Sequence, residues 1–323
     1  MLLLSVLLAG CATSPTFLQP NSLVSSKEAE LFRIILYMSV GVFVVVWVLL
    51  LINIIFFRHR DPEDKEEPRQ KYGNIRLEIL WTAVPILLVL TLFILTVRTM
   101  QAVAAPAPTQ DDIQITVVGH QWWWEFDYPD LGIITANELH IPAGKNVHLT
   151  VTSADVIHSF WVPQLANKID AIPGQNNNLW FKPLDIGVFD GQCAEFCGIG
   201  HANMLIKVVV ESDADFQAWV TNQQAPPVQP ANDQQQQGYD IITKGVCSTC
   251  HTLGDNKGAS NLGPNLTHVM SRSVFAGAMY ENNIENMFHW LSDPQAMKPG
   301  NKMIIHLTQD QINSVMSYLT QLK

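Results

Sequence analysis

Cys193-Ala-Glu195-Phe-Cys197-Gly-Ile-Gly-His201-Ala-Asn-Met204 decides the reading of this 323-residue chain. Two thiols, an imidazole and a thioether fall within twelve residues. Soft sulfur and nitrogen donors of this kind suit copper. Two cysteines four apart can both reach across and bridge two metal ions. A bridged pair shares its unpaired electron, so bond lengths change little on reduction. That suits electron transfer rather than bond-making chemistry. A second imidazole would come from Asp155-Val-Ile-His158-Ser-Phe-Trp161. Zinc fits less well, since it seldom takes methionine and its cysteines usually come in paired motifs. A disulfide between Cys193 and Cys197 would leave His201 and Met204 unexplained.

The flanking sequence reads as a small β-sandwich or barrel. Short β-branched runs, Ile113 to Val118, Val147 to Thr152 and Leu205 to Val210, are separated by Gly, Pro and Asn. Ser212 with Asp215 makes a capping box before a helical run from Phe216 to Val220.

On the N-terminal side, residues 34–57 and 79–97 carry no charged side chain. About 20 apolar residues suffice to cross a membrane as a helix, so both runs are predicted spans. Pro85 is tolerable inside such a span. The loop at 58–76 holds Arg58, Arg60, Lys65, Arg69, Lys71 and Arg76, whereas 99–144 holds no basic residue. This asymmetry places the loop in the cytoplasm and everything after Arg98 outside. Leu8-Ala9-Gly10-Cys11 closes an apolar start and resembles a bacterial lipobox, with Cys11 as the lipidation site.

On the C-terminal side, residues 223–237 are rich in Pro and Gln and read as a linker. Fully extended, it would reach about 50 Å, so the domain beyond could swing. That domain opens with Cys247-Ser-Thr-Cys250-His251, the pattern for covalent attachment of a c-type haem. Gly263-Pro264-Asn265-Leu266, Trp290-Leu-Ser-Asp-Pro294 and Lys298-Pro-Gly-Asn-Lys-Met303 fit a small class I cytochrome c. Met303 is the expected sixth ligand and Met297 its nearest rival. A closing helix has Thr308 and Gln311 as a capping box and Ile312, Val315, Met316, Leu319 and Leu322 on one face.

Residues 31–222 resemble subunit II of the haem–copper cytochrome c oxidases. The motifs that carry this are the Cys193–Met204 stretch, Gly119-His-Gln-Trp122-Trp-Trp124, Asp155-Val-Ile-His158-Ser and Asp170-Ala-Ile-Pro173-Gly174. The fused haem segment points to the caa-type branch. The resemblance implies a multi-domain fold with a two-helix transmembrane hairpin, an all-β cupredoxin-like domain and an all-α cytochrome c domain. It implies a dinuclear copper centre, CuA, bridged by Cys193 and Cys197. His158 and His201 would bind one copper each, Met204 one copper weakly, and the Glu195 carbonyl the other. The Glu195 carboxylate would reach a magnesium ion at subunit I. Trp122 would be where electrons enter, with Trp124, expected on the same strand face, serving packing. Glu78 would mark the entrance of a proton pathway. The implied partners are subunits I and III and a donor such as cytochrome c, a blue copper protein or a quinol–cytochrome reductase complex. The implied location is a bacterial plasma membrane, with the copper and haem domains on its outer face.

The expected organisation is a signal peptide at 1–11, the spans within 12–98, the copper domain at 99–222, the linker at 223–237 and the haem domain at 238–323. A membrane-anchored redox carrier without an oxidase partner would not need Glu78 or the Glu195 carboxylate. A nitrous-oxide-reducing enzyme would need a further large copper domain, and a quinol oxidase subunit would lack the copper ligands.

Composition agrees. Charged residues make up only 15% of the chain, and the net charge is -10. Binding nucleic acid independently of sequence requires a basic surface, so that class is excluded. The charge is not spread evenly, for residues 99–222 hold four basic and fourteen acidic side chains. An acidic outer face of this kind can steer a basic partner or simply keep the domain soluble.

Overall fold

The computed structural model describes residues 15–58, 72–254 and 262–323. Two helices, α1 (Leu23–Phe56) and α2 (Ile75–Ala102), are each long and apolar enough to cross a membrane. Both overrun the uncharged sequence, because helical hydrogen bonding continues past the point where charged residues return. Asn74 caps α2, its Oδ1 accepting from the amides of Arg76 and Leu77 at 3.1 and 3.4 Å. Cys11 and most of the basic loop lie outside the described residues.

From Ile113 the chain forms two five-stranded sheets. The first contains β1 (Ile113–His120), β2 (Trp123–Tyr128), β3 (Ile133–Ala136), β5 (Val147–Ser153) and β8 (Asn177–Phe181), in the order β3-β2-β1-β5-β8. The second contains β4 (Glu138–Pro142), β6 (His158–Trp161), β7 (Ile169–Ala171), β9 (Gly187–Cys193) and β10 (Leu205–Glu211), in the order β4-β10-β9-β6-β7. The predicted strands at 113, 147 and 205 are all present. Alternation explains them. Val147, Leu149 and Val151 turn inward while His148, Thr150 and Thr152 turn out. Trp124, Phe126, Tyr128, Phe160 and Phe181 fill the space between the sheets. Gly191 permits the approach of β6 to β9, since a Cβ there would lie 2.6 Å from the Trp161 carbonyl. Ser212 caps α3 (Asp213–Gln223) through Asp215, as expected.

The expectation that Trp122 and Trp124 share a strand face is not met. β1 ends at His120 and β2 begins at Trp123, so Trp122 occupies the connecting turn and Trp124 the core. Turn residues do not keep the two-residue period of a strand.

The C-terminal part is helical, with α4 (Asp233–Lys244), α5 (Ile284–Ser292), α6 (Pro294–Met297) and α7 (Gln309–Leu319), plus a short hairpin of β11 (Val274–Phe275) and β12 (Tyr280–Glu281). α4 lies across α7 where Gly238 meets the Ser314 carbonyl; a Cβ would stand 2.1 Å from that oxygen. Ile242, Met287, Leu291, Val315 and Leu319 form the core. The Thr308–Gln311 capping box starts α7 as predicted.

The linker reading needs correction. Residues 233–237 are the first turn of α4, because the Asn232 side chain caps the helix by accepting from the Gln235 amide at 2.9 Å. The preceding residues are held, not slack. Tyr318 donates its hydroxyl to the Val228 carbonyl at 2.8 Å, and His268 Nε2 lies 3.0 Å from the Ala225 carbonyl.

Candidate metal centre

β6 and β9 are antiparallel neighbours, with Phe160 opposite Cys193. This pairing brings His158, at the start of one strand, to Cys193, at the end of the other. The chain then loops through Glu195 and Cys197 into a single 3-10 turn, His201–Asn203, and reaches Met204 before β10. The loop closes on itself because the Cys193 amide donates to the Met204 carbonyl at 2.9 Å.

Six of the predicted donors converge in this space. Cys193 Sγ lies 3.8 Å from Cys197 Sγ, 4.0 Å from His158 Nδ1 and 3.3 Å from the Glu195 carbonyl oxygen. Cys197 Sγ lies 3.7 Å from His201 Nδ1 and 3.9 Å from Met204 Sδ. The sulfurs are far beyond the roughly 2.05 Å of a disulfide. His158, Cys193, Cys197 and Met204 are buried. Donor atoms of His158, Cys193 and Cys197 all fall within 4.8 Å of one another, close enough to share a metal ion. Two thiols, two imidazoles, a thioether and a carbonyl around one buried point match the soft-donor chemistry of copper. The Glu195 carboxylate, in contrast, is exposed.

A surrounding layer of hydrogen bonds fixes these donors. Asp155 Oδ1 is 2.9 Å from His158 Nε2, which puts the ring proton on Nε2 and leaves the Nδ1 lone pair facing the thiols. Asp155 Oδ2 also accepts from the Gln121 amide at 2.8 Å. Burial would raise the Asp155 carboxyl, but the hydrogen bonds from His158, Gln121 and Val156 outweigh it and hold it well below its ordinary range. The hydrogen bond with Cys197 pulls the Cys193 thiol far down, and the same contact pushes Cys197 up. The Cys197 carbonyl accepts from Gln121 Nε2 at 2.8 Å and from the Trp122 indole at 3.0 Å. Gly200 lets the Trp122 ring lie flat on the loop, since a Cβ would sit 2.4 Å from it. Sequence reading did not assign Asp155 a role. The available signal was an acid three residues before a candidate ligand histidine.

The haem motif surrounds a cavity whose lining includes Cys247, Cys250, His251, Met303 and Trp122. Neither cysteine is paired in a disulfide. His251 Nδ1 donates to the Pro264 carbonyl at 2.7 Å, leaving Nε2 as its remaining donor atom. Gly263 lies against the ring, where a Cβ would stand 2.6 Å from Cε1. Burial lowers the His251 imidazole, which keeps it neutral and fit to bind iron. Met303 is positioned by its own amide, which donates to Asn301 Oδ1 at 2.7 Å. Met297 does not line the cavity, and its carbonyl accepts from the Tyr280 hydroxyl at 2.7 Å. Glu78 lies in the first turn of α2.

Three family models match the chain. The transmembrane domain of cytochrome c oxidase subunit II matches residues 13–98, its periplasmic domain residues 133–212, and cytochrome c residues 235–323. The chain is 37% identical over 297 residues to cytochrome c oxidase subunit 2 of Alkalihalophilus pseudofirmus, spanning 88% of this chain and 86% of that one. It is 36% identical over 285 residues to the same subunit of Bacillus sp. strain PS3, covering 83% and 80%. With that of Bacillus subtilis it shares 34% over 342 residues, covering 99% and 96%.

Proposed function

The chain belongs to the cytochrome c oxidase subunit II family, and from that premise we propose how its residues hold the two centres. It is a membrane protein with an extracellular domain, and it partners subunit I in an oxidoreductase complex. It carries copper and haem and relays electrons. When bound, the two groups supply one-electron oxidation and reduction, while the protein sets position and potential.

We propose that Cys193, Cys197, His158, His201, Met204 and the Glu195 carbonyl would hold the copper pair, the two cysteines being the donors that both ions would share. The convergence of these six donors, five from the Cys193–Met204 stretch and His158 from β6, on one buried point carries this reading. Asp155 holds the His158 ring, and Gln121 and Trp122 hold the loop. Burial keeps water from the thiols. Cys247 and Cys250 would attach the haem covalently, and His251 and Met303 would ligate its iron. His/Met ligation raises the haem potential, which suits an acceptor late in a respiratory chain.

Further assignments rest on the family resemblance. The exposed Glu195 carboxylate would bind magnesium at the boundary with subunit I. Glu78 would open a proton pathway at the cytoplasmic end of α2. The 58–76 loop would face the cytoplasm of a bacterial cell, Cys11 would carry lipid, and subunit III would complete the assembly. The donor would be cytochrome c, a blue copper protein or a quinol–cytochrome reductase complex.

Purification from native membranes, followed by metal, haem and subunit analysis, tests this. A copper pair, one covalent haem and a co-purifying subunit I are expected. Recovery without a subunit I partner would favour a free-standing membrane redox carrier.

A further inference from the structure

The loop that ends in Met303 begins with Lys298, to which none of the assignments above gives a task. Lys298 is buried, at 3% exposure. Lysines are almost never enclosed unless paired. This one spends its donors on backbone. Nζ donates to the Trp122 carbonyl at 2.7 Å and to the Ala276 carbonyl at 2.9 Å. The first acceptor lies in the copper-binding part of the chain, the second in the haem-binding part. Trp122 is thus held at both ends, its carbonyl by Lys298 and its indole by Cys197.

The surroundings are built to fit this lysine. Gly277, at φ +79°, leaves the space that Lys298 occupies. A Cβ there would lie 2.4 Å from Lys298 Nζ, 2.8 Å from the Asn203 carbonyl and 3.0 Å from the Trp122 carbonyl. The Gly277 carbonyl accepts from the Leu205 amide at 2.9 Å, immediately after Met204. Further contacts ring the junction. Lys302 Nζ is 3.4 Å from Asp155 Oδ2, Gly300 packs on Ile199, and Ser273 donates to Glu138 Oε2 through both its amide and its hydroxyl.

We propose that Lys298 is a positioning residue that seats the haem-binding segment on the turn carrying Trp122, and so fixes the gap between the haem cavity and the copper donors. A buried ammonium is costly unless hydrogen-bonded. Two carbonyls from opposite sides of the junction meet that requirement only while the parts are seated. Burial pushes Lys298 down to about 7, and its Nζ keeps both carbonyl acceptors whichever form it takes. The Lys302–Asp155 pair adds less, because its lysine is exposed and solvent screens it.

The test rests on both centres being loaded, and uses the full chain in its assembled form. Lys298→Met keeps the length of the stem and removes the donors. Copper and haem absorbance are expected to remain as in the parent. Hydrogen exchange at the Leu205 amide, which crosses the junction, is expected to rise about tenfold. After photoreduction, passage of one electron from ferrous haem, which becomes ferric, to the oxidised copper pair, which gains it, is expected to slow by a similar factor. Gly277→Ala, which crowds Lys298 from the other side, should reproduce both effects and serves if Lys298→Met does not fold. Unchanged exchange, or raised exchange with unchanged transfer, overturns the proposal. Absence of copper and haem absorbance from the unaltered chain would instead sink the reading on which it rests.

Discussion

The Trp122 indole donates to the backbone carbonyl of Cys197 at 3.0 Å, so a residue that lines the cavity around the haem motif is bonded directly to one assigned as a copper ligand. Trp122→Phe keeps an aromatic ring and removes this donor. Loss of one such hydrogen bond is expected to cost about 1 kcal/mol in denaturant unfolding. The copper absorbance should persist, and transfer from haem to copper, followed by stopped-flow absorbance, should slow. Transfer as fast as in the parent would remove Trp122 from the path.

Cys197 contacts Cys193, His201 and Met204 at once. Replacing its sulfur with a harder oxygen disrupts the whole donor set. Cys197→Ser should abolish the copper absorbance and leave the c-type haem spectrum intact. Undiminished copper content by elemental analysis would refute the ligand assignment.

Met303 shares the cavity with His251, whereas Met297 does not line it. Met303→Ala should therefore remove the low-spin His/Met signature, including the weak band near the red edge of the oxidised spectrum. Met297→Ala should leave that signature in place. The reverse outcome would move the sixth ligand to Met297.

His140 lies between two carboxylates, with Nε2 at 2.9 Å from Glu138 Oε1 and Nδ1 at 3.2 Å from Glu211 Oε2. Burial would lower its pKa, but the two carboxylates outweigh burial and raise it. Burial would likewise raise Glu138, yet its bonds to His140 and Ser273 leave it lowered. The signs then follow. The His140 contribution is complete below its unfolded value of about 6.5 and is lost as pH rises through the raised folded value. The Glu138 contribution is complete above about 4.3 and is lost as pH falls through its lowered value. Thermal unfolding against pH should show stability falling off on both sides of this window. Glu138→Gln should cost about 2 kcal/mol and flatten the alkaline side. An unaltered alkaline limb would exclude the cluster as its origin.

Much of this was legible because it is local. The copper loop spans twelve consecutive residues and the haem motif five, so residue type and spacing alone announce the chemistry. The strands at 147 and 205 and the cap at Thr308 are equally local, each written in a two-residue or four-residue period. What escaped is non-local or irregular. Glu211 sits on β10, a parallel neighbour of β4 joined to it only by the sheet, and no spacing rule links it to His140 on β4. Lys298 reads as a solvated charge until the fold sets it against a carbonyl 176 residues earlier. Trp122 was misplaced because a turn interrupts the alternation that put it beside Trp124.

The segment before α4 changes how the molecule can be supplied with electrons. With Ala225 and Val228 fastened to His268 and Tyr318, the haem-binding part is not on a long leash searching for its seat. Docking within one polypeptide is first-order in any case, but a fastened segment removes the search that a slack tether and its effective concentration would impose. Salt should then slow the arrival of electrons from outside while leaving their internal passage untouched, and the acidic face of the copper domain should make itself felt only at the first of these steps.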